Sequence, residues 1–385
     1  MVTRRENLMA ALSHRHTAYL PAHFLCDQLS QPQPLPPGLG EDPYDIGIQR
    51  FLGGDVLDRI GGGCAVASET PQVQQTTETR ADGSIHITWE TPLGRLTKAA
   101  MPEQGGKVQF TTDMPIKQLG DYAILKYIVE DTRYAADDES VEKARTRLSK
   151  VGDDGIAYAA VPESPIQQLI RGWTMLDRLT FDLADFPGVV EDVLASMHTL
   201  NCQYYELACR HTPAKVVVCW DDANNQQISR RMLEQYWIPA IRDYAEICHR
   251  YNKLYVLHDC GRLRGLVDLF PEAGIDAIDW CSPPPTGDVT WGEAQKAFGG
   301  RVCVMGATPA PIMRYGTPGE VEANLMAWLS GVDLEQNFAL QILCPLGTPL
   351  ANAARVIKVL NRDYGFPLNQ HPDYRPVWED PAAEW

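Results

Sequence analysis

Short apolar runs alternate with longer amphipathic stretches from Gly155 onward, and this alternation constrains the fold more than any other feature of the sequence. Stretches such as Leu233–Tyr251 and Pro318–Ser330 have the spacing of helices. The apolar runs between the amphipathic stretches predict six strands: Ile156–Val161, Val216–Trp220, Leu254–His258, Ala277–Asp279, Val302–Met305 and Phe338–Leu343. Strands and helices in this order are typical of a parallel sheet with helices outside it.

The number of strands favours a closed barrel. Six predicted strands follow residue 150, and the region before it is long enough to hold two more. We therefore predict the α/β class and an eight-stranded (β/α)8 TIM barrel. A doubly wound open sheet is the alternative. No Gly-x-Gly-x-x-Gly follows a predicted strand, which disfavours a nucleotide-binding sheet.

The part of the chain before residue 150 has a different pattern. Residues alternate from Glu69 to Leu96, and Ala81-Asp82-Gly83-Ser84 supplies turn residues between two alternating runs. We predict that residues 66–112 form an N-terminal β-hairpin insertion in a single barrel domain spanning residues 1–385. The same region is predicted to contain two helices and a loop rich in Pro and Gly: Thr3–Ser13, Pro115–Asp131 and Gln31–Gly40.

Charge and composition exclude several classes of protein. The 385 residues include 34 Lys and Arg against 50 Asp and Glu, a formal net charge of -16, and no basic cluster is present. This balance argues against nucleic acids and anionic membranes as partners. The charged segment Met1–His16 does not resemble a signal peptide, and no stretch approaches the roughly 20 apolar residues of a spanning helix. We expect a cytoplasmic protein whose ten cysteines are reduced.

Two metal-binding residue types follow the predicted strand Leu254–His258. His258 ends this strand, and Cys260 lies two positions further on. Side chains two apart in an extended chain point to the same side, and the carboxyl ends of barrel strands form the active-site face. An imidazole and a thiolate placed in this way form half of a zinc site. The alternative is that both residues are structural.

A second cysteine follows another predicted strand. Cys344 comes directly after Phe338–Leu343, so a barrel would bring it to the same face as His258 and Cys260. Three ligands of the His/Cys/Cys type with an open fourth position are typical of a catalytic zinc site. The alternative is that Cys344 is a small buried hydrophobic residue.

Carboxylates follow two further predicted strands. Asp221 and Asp222 come after Val216–Trp220, and Glu163 comes after Ile156–Val161. At the mouth of a barrel such groups act as acids or bases, bind substrate or complete a metal shell. The alternative is that they stabilise turns and helix starts.

Several segments resemble, in order, the uroporphyrinogen decarboxylase superfamily. The resemblance spans nearly the whole chain, and the segments that carry it are Thr3–Leu12, Glu90–Leu96, Pro115–Lys117, Trp220-Asp221-Asp222, Ile238-Pro239, His258–Gly261 and Cys344–Leu350. The set His258, Cys260 and Cys344 is similar to the zinc ligands of the cobalamin-dependent methyltransferases in that superfamily. These are the methylcobalamin:coenzyme M enzymes and the related O-demethylase methyltransferases.

The resemblance implies a (β/α)8 barrel that binds Zn²⁺ and moves a methyl group between a small molecule and a corrinoid. The small molecule is a methyl ether or a thiol, and a partner corrinoid protein carries the corrinoid (cobalamin). The hairpin insertion favours O-demethylation. Asp221, Asp222 and Glu163 are the candidates for orienting the substrate or completing the zinc shell.

The sequence departs from the true decarboxylases at one informative place. Their N-terminal motif contains an arginine that binds tetrapyrrole carboxylates, whereas the stretch His23–Gln28 has none and contains Asp27. Porphyrin decarboxylation is therefore disfavoured. A metal-free decarboxylase of a tetrapyrrole or another acid is kept as the alternative function, and a non-enzymatic corrinoid- or metal-binding protein is a third. The decarboxylase alternative predicts a mouth lined by clustered arginines: Arg171, Arg178, Arg262 and Arg264.

Overall fold

The computed structural model of the chain describes residues 2–25, 39, 46–60, 65–102 and 109–368. The predicted loop Gln31–Gly40 lies outside the described residues apart from Leu39, and Asp27 lies outside them as well. Contacts divide the chain into two units. Unit 1 comprises residues 1–64, 138–161 and 211–385, and unit 2 comprises residues 65–137 and 162–210. The prediction of a single domain over residues 1–385 stays a prediction.

Fourteen strands lie within the described ranges. In chain order they are β1 (Ala22–Leu25), β2 (Val56–Ile60), β3 (Val66–Glu69), β4 (Gln74–Thr79), β5 (Ile85–Thr91), β6 (Gly94–Pro102), β7 (Gln109–Asp113), β8 (Arg133–Ala136), β9 (Gly155–Val161), β10 (Val216–Cys219), β11 (Leu254–His258), β12 (Ala277–Cys281), β13 (Cys303–Ala307) and β14 (Phe338–Leu343).

The same ranges contain thirteen α-helices. They are α1 (Arg4–Leu12), α2 (Ile46–Leu52), α3 (Asp121–Asp131), α4 (Asp138–Val151), α5 (Pro165–Gln168), α6 (Leu176–Asp185), α7 (Pro187–His211), α8 (Arg230–Met232), α9 (Ile238–Arg250), α10 (Trp291–Phe298), α11 (Ala310–Tyr315), α12 (Pro318–Leu329) and α13 (Leu350–Tyr364). Within these ranges, none of the helices combines the length and the apolarity that crossing a membrane requires.

Unit 1 contains an eight-stranded parallel barrel, which confirms the predicted fold class. The strand order is β1-β14-β13-β12-β11-β10-β9-β2. A parallel bridge between His23 and Asp55 brings β1 beside β2. All six predicted strands are present, with bounds within two residues of the prediction, and the two strands expected earlier in the chain are β1 and β2.

The barrel is filled by apolar side chains because its strands are buried on both faces. Every residue of β10 is buried, as expected for a parallel strand covered by helices. Leu8, Ala11 and Leu12 of α1 belong to the same apolar cluster as the inner residues of the strands. Burying a Leu or Val side chain contributes roughly 1.5–3 kcal/mol, so α1 stabilises the barrel from within this cluster.

The first helix lies close to its predicted bounds, because Thr3 and Glu6 form a capping box that starts it at Arg4. Two other helices differ from prediction for local reasons. In contrast, α3 begins at Asp121 rather than Pro115, because the Asp121 carboxylate accepts the Lys117 N–H at 2.8 Å and holds that segment in a turn. The stretch predicted as one helix from Leu233 is π-helical up to Trp237 before α9 begins.

Unit 2 contains the predicted hairpin and more strands than predicted. Strands β4 and β5 pair antiparallel across a turn in which Gly83 has a φ of 83°, a conformation that favours glycine. Strands β6 and β7 extend the pair to a four-stranded antiparallel sheet in the order β4-β5-β6-β7. Strands β3 and β8 form a separate antiparallel pair.

Candidate metal centre

A layer of polar side chains lies directly above the apolar core at the carboxyl ends of the barrel strands. On three strands the inner core residues are Val256, Ala277 and Ala339. The residues two positions further on are His258, Asp279 and Gln341. Because side chains alternate with a period of two, these three point into the barrel as well. The pairing of β11 with β12 places His258 directly beside Asp279.

Three possible metal ligands come together at this end of the barrel. The donor atoms of Asp222, His258 and Cys260 all lie within 4.8 Å of one another. The Cys260 thiol donates to Asp222 Oδ1 at 3.1 Å, and His258 Nε2 lies 3.9 Å from the same oxygen. We call these three residues the metal-ligand group. Each is partly exposed, so a substrate can reach the group.

The chain around the metal-ligand group is fixed by local hydrogen bonds. The Asn224 N–H donates to the Asp222 carbonyl at 2.8 Å, and the Asp222 N–H donates to Asp221 Oδ1 at 3.2 Å. Gly261 follows Cys260 with a φ of 90°, where any larger residue would be strained. Asp221 is fully buried, and the Cys219 thiol donates to its other oxygen at 3.9 Å. Asp221 therefore supports the loop that carries Asp222.

The residues present fit a zinc ion. Zinc binds imidazole nitrogen, thiolate sulfur and carboxylate oxygen, and one of each is present here. Two ligands of one tetrahedral zinc lie roughly 3.3–3.8 Å apart, given bond lengths of about 2.0–2.3 Å. The separations of 3.1 Å and 3.9 Å measured from Asp222 Oδ1 require only small adjustments. Three protein ligands leave a fourth position for substrate.

Asp259 lies between His258 and Cys260 in sequence and is fully buried. Neither carboxyl oxygen makes a hydrogen bond of ordinary geometry with a described residue, although the backbone N–H of Ala223 is near enough to favour the charged form. Burial, reinforced by the charges of Asp221 and Asp222, raises the pKa of Asp259 well above its usual value. Its buried surroundings therefore favour the protonated form of the Asp259 carboxyl group.

Cys344, the second predicted cysteine ligand, lies directly after β14. It is fully buried after β14, and it is not part of the metal-ligand group found among the described residues. Leu343 packs with Leu25 and Ala307 inside the barrel, so an extended continuation of β14 turns the next side chain to the other face. Burial raises the pKa of the Cys344 thiol. The prediction that Cys344 ligates zinc stays a prediction.

Glu163 and three of the four candidate arginines are engaged in ion pairs. Glu163 belongs to unit 2, where its carboxylate lies 2.8 Å from Arg171. Arg178 pairs with Asp182 at 2.8 Å in the same unit. In unit 1, Arg264 lies 3.2 Å from Glu293. Arg262 is exposed, and its carbonyl accepts a hydrogen bond from the Asn225 N–H.

Sequence reasoning missed the residues that surround His258. Asp279 Oδ2 lies 3.0 Å from His258 Nδ1, and Gln341 donates to the other oxygen of Asp279. Burial acts to raise the pKa of Asp279, but the hydrogen bond and charge of His258, together with Arg59 and His23, outweigh it and lower the pKa. Asp279 is therefore a carboxylate. The available signal was a single polar residue in each of two otherwise apolar strands.

His23 is a second imidazole in the polar layer, and its surroundings differ from those of His258. It lies beside Gln341 in the pairing of β1 with β14. It is fully buried, and neither ring nitrogen has a hydrogen-bond partner among the described residues. The pKa of His23 is lowered to about 4: burial lowers it, the charge of Asp279 opposes the shift, and the charge of Arg59 adds to it. The ring is therefore neutral at pH 7.

Comparison with solved structures shows the same fold in a protein of very different sequence. A methyltransferase from Methanosarcina mazei matches with a TM-score of 0.60 at 14% identity, over 94% of this chain and 99% of that one. A putative vitamin-B12 independent methionine synthase from Listeria monocytogenes matches with a TM-score of 0.37 at 13% identity, over 65% of this chain and 70% of that one. A search of curated proteins found no match.

The family comparison covers the strand ends that carry the metal-ligand group. The model of the uroporphyrinogen decarboxylase (URO-D) family matches residues 170–362, which is half of the chain. This range runs from before β10 to the last helix, and it includes all three residues of the group as well as Asp279 and Gln341. The chain belongs to the uroporphyrinogen decarboxylase (URO-D) family.

Proposed function

We propose that this member of the URO-D family is a zinc-dependent methyltransferase. It moves a methyl group between a small molecule, of the methyl ether or thiol type, and a corrinoid carried by a partner protein. The observation that carries the proposal is the metal-ligand group at the carboxyl end of the barrel. The shared fold of the methyltransferase from Methanosarcina mazei supports it.

His258, Cys260 and Asp222 are the proposed zinc ligands. Asp222 has a side-chain exposure of 23% against 14% for His258, so Asp222 is the ligand that a substrate reaches more easily. Cys344, which the sequence resemblance assigns to the zinc, is the alternative third ligand. Zinc bound at this position would lower the pKa of a substrate thiol or draw electrons from the oxygen of a methyl ether.

The protein residues around the proposed zinc bind and orient rather than react. Asp222 Oδ1 accepts the Cys260 thiol hydrogen at 3.1 Å. Both groups must be deprotonated to bind metal, and both are partly exposed, so this proton would leave to solvent. Asp221 orients the backbone of Asp222 from beneath. The apolar cluster below His258 is fully buried and keeps water from the inner side of the site. Glu163 remains a candidate for contacting substrate.

The ion pairs of the arginines disfavour the decarboxylase alternative. A tetrapyrrole with several carboxylates needs basic side chains whose charge is available to it. Arg171, Arg178 and Arg264 already lie beside carboxylates.

O-demethylation is the favoured direction of methyl transfer. All eight cysteines that the structure describes are free thiols, which supports the expected cytoplasmic location.

The test is methyl transfer to cob(I)alamin from an aryl methyl ether, and from methylcobalamin to a thiol, by the zinc-loaded protein. Cys260→Ser is expected to lose zinc and at least about 100-fold in rate in both assays. Cys202→Ser is the matched control, because Cys202 lies on α7 away from the ligand residues in sequence and is partly exposed. Full activity of zinc-free protein would overturn the proposal, and turnover of uroporphyrinogen III would support the alternative.

A further inference from the structure

The ring of His258 has one nitrogen facing the metal-ligand group and the other facing a buried carboxylate. Nε2 lies 3.9 Å from Asp222 Oδ1, and Nδ1 lies 3.0 Å from Asp279 Oδ2. A neutral imidazole carries a proton on only one nitrogen, and the nitrogen without it is the one that binds a metal. The position of that proton therefore decides whether His258 presents a lone pair to the group.

A chain of hydrogen bonds starts from a group that can only donate. The backbone N–H of Trp280 donates to Gln341 Oε1 at 2.7 Å. The amide oxygen of Gln341 therefore faces Trp280, and its NH₂ group faces Asp279. Both oxygens of Asp279 are thus placed as acceptors, one toward Gln341 and one toward His258. This polarity places the imidazole proton on Nδ1 and leaves Nε2 bare.

The backbone at Trp280, whose N–H donates to Gln341, is strained. Trp280 has a φ of 69°, and the pairing of β12 with β13 is irregular between Ile278 and Cys281. A non-glycine residue in the left-handed region is strained, and such strain is typical of functional sites. The Trp280 ring also packs edge-on against the His258 ring, with centroids 5.2 Å apart. Trp280 therefore contacts His258 directly and orients Gln341.

We propose that Asp279 is a positioning residue, oriented by Gln341, which holds His258 in the Nδ1–H tautomer with Nε2 directed at the metal-ligand group. The placement of the proton is argued from the hydrogen bonds around an ionised Asp279, and its consequence for zinc rests on the proposed function. Carboxylates that hold a ligating histidine in this way are worth about 10–100-fold in metal affinity.

The test reads the tautomer directly in zinc-free protein. Long-range ¹H–¹⁵N correlations of the labelled imidazole, recorded at a pH where His258 is neutral, are expected to show Nδ1–H in the wild type. Asp279→Asn keeps one oxygen for Gln341 and turns an NH₂ group toward His258. The expected result is a change to the Nε2–H tautomer, with a loss of about 10–100-fold in zinc affinity.

A double variant separates positioning from general damage to the fold. In Asp279→Asn combined with Gln341→Glu, the new carboxylate accepts both the Trp280 N–H and the NH₂ group at position 279. The oxygen at position 279 then faces His258 again, so the Nδ1–H tautomer and most of the zinc affinity are expected to return. A merely structural role for Asp279 would not produce this rescue.

Two results overturn the inference: an Nε2–H tautomer in the wild type, or an unchanged Nδ1–H tautomer in a folded Asp279→Asn variant. The wild-type spectrum alone keeps the inference testable where the variant fails to fold. An Nδ1–H wild type that changes in Asp279→Asn, in a protein that binds no zinc, supports the positioning role and overturns the proposed function.

Discussion

Strands β11 and β14 both lead into a cysteine at the same end of the barrel, but the alternation of side chains places the two cysteines on opposite faces. Cys260 lies two residues after His258, which faces inward, and it joins the metal-ligand group. Cys344 lies one residue after Leu343, which packs inside the barrel, and it is fully buried outside the group. Because side chains alternate along a strand, a shift of one residue separates the proposed metal ligand Cys260 from the buried thiol of Cys344.

The largest expected effect separates the two cysteines by zinc affinity. Cys260→Ser removes a thiolate from the site, and we expect it to weaken zinc binding roughly 1000-fold, in line with the share of one ligand in a site worth about 10–16 kcal/mol. Cys344→Ser is the matched variant, and it is expected to change the affinity less than about threefold. Titration against a chromophoric chelator measures both values.

A loss in Cys344→Ser as large as that in Cys260→Ser would contradict the difference in phase. It would show that Cys344 moves into the site when zinc binds, as the sequence predicts. Circular dichroism of both zinc-free variants is the control, because Cys344 is fully buried and serine adds a polar group there.

The next effect is on stability and comes from His23, the second imidazole of the polar layer. Burial lowers the pKa of His23 from 6.5 to about 4, so the unfolded chain binds a proton that the folded protein does not. The free energy of unfolding therefore falls as the pH falls from 6.5 toward 4, by about 3 kcal/mol from this residue. His23→Gln is expected to remove this part of the pH dependence in urea unfolding of zinc-free protein.

Asp55, whose backbone pairs with that of His23, changes the free energy of unfolding in the opposite direction as the pH falls. Burial raises its pKa from 3.8 to about 6, against the opposing charge of Arg4, so its contribution to stability grows as the pH falls through 6. The difference between wild type and His23→Gln at each pH isolates the histidine. An identical pH dependence in the two proteins would show that the pKa of His23 does not change on folding.

The smallest expected effect is a difference in thiol reactivity. Cys260 is partly exposed, whereas Cys344 is fully buried with its pKa raised by burial. Since the thiolate is the reactive form, iodoacetamide at pH 8 is expected to modify Cys260 at least about 10-fold faster than Cys344 in zinc-free protein. Peptide mass spectrometry measures both rates, and added zinc is expected to protect Cys260. Equal rates would contradict the burial of Cys344.

The sequence predicts the barrel well because its strands are uniformly apolar and separated by amphipathic helices. The bounds of β11 and β14 agree with the prediction, and those of the other four predicted strands differ by at most two residues. The period of two also predicts that His258 and Cys260 leave β11 on the same side. Asp222 was predicted at a strand end, but the sequence does not show that its oxygen lies 3.1 Å from the Cys260 sulfur.

The phase of Cys344 could not be predicted from the sequence. All six residues of β14 are buried, because the strand is covered by the core on one side and by helices on the other. Such a strand shows no alternation of apolar and polar residues, so the pattern does not tell which face a side chain takes. Gln341 is the one polar residue in β14, and its contact with Asp279 depends on a different strand.

The central claim is that one zinc ion binds at the carboxyl end of β11 through His258, Cys260 and Asp222. Zinc-edge X-ray absorption on the purified protein, combined with elemental analysis, tests it most directly. The account predicts one zinc per chain with a single sulfur ligand at about 2.3 Å and the remaining ligands nitrogen or oxygen. A spectrum with two sulfur ligands would show that Cys344 rather than Asp222 is the third protein ligand. A protein that binds no zinc would contradict the account altogether.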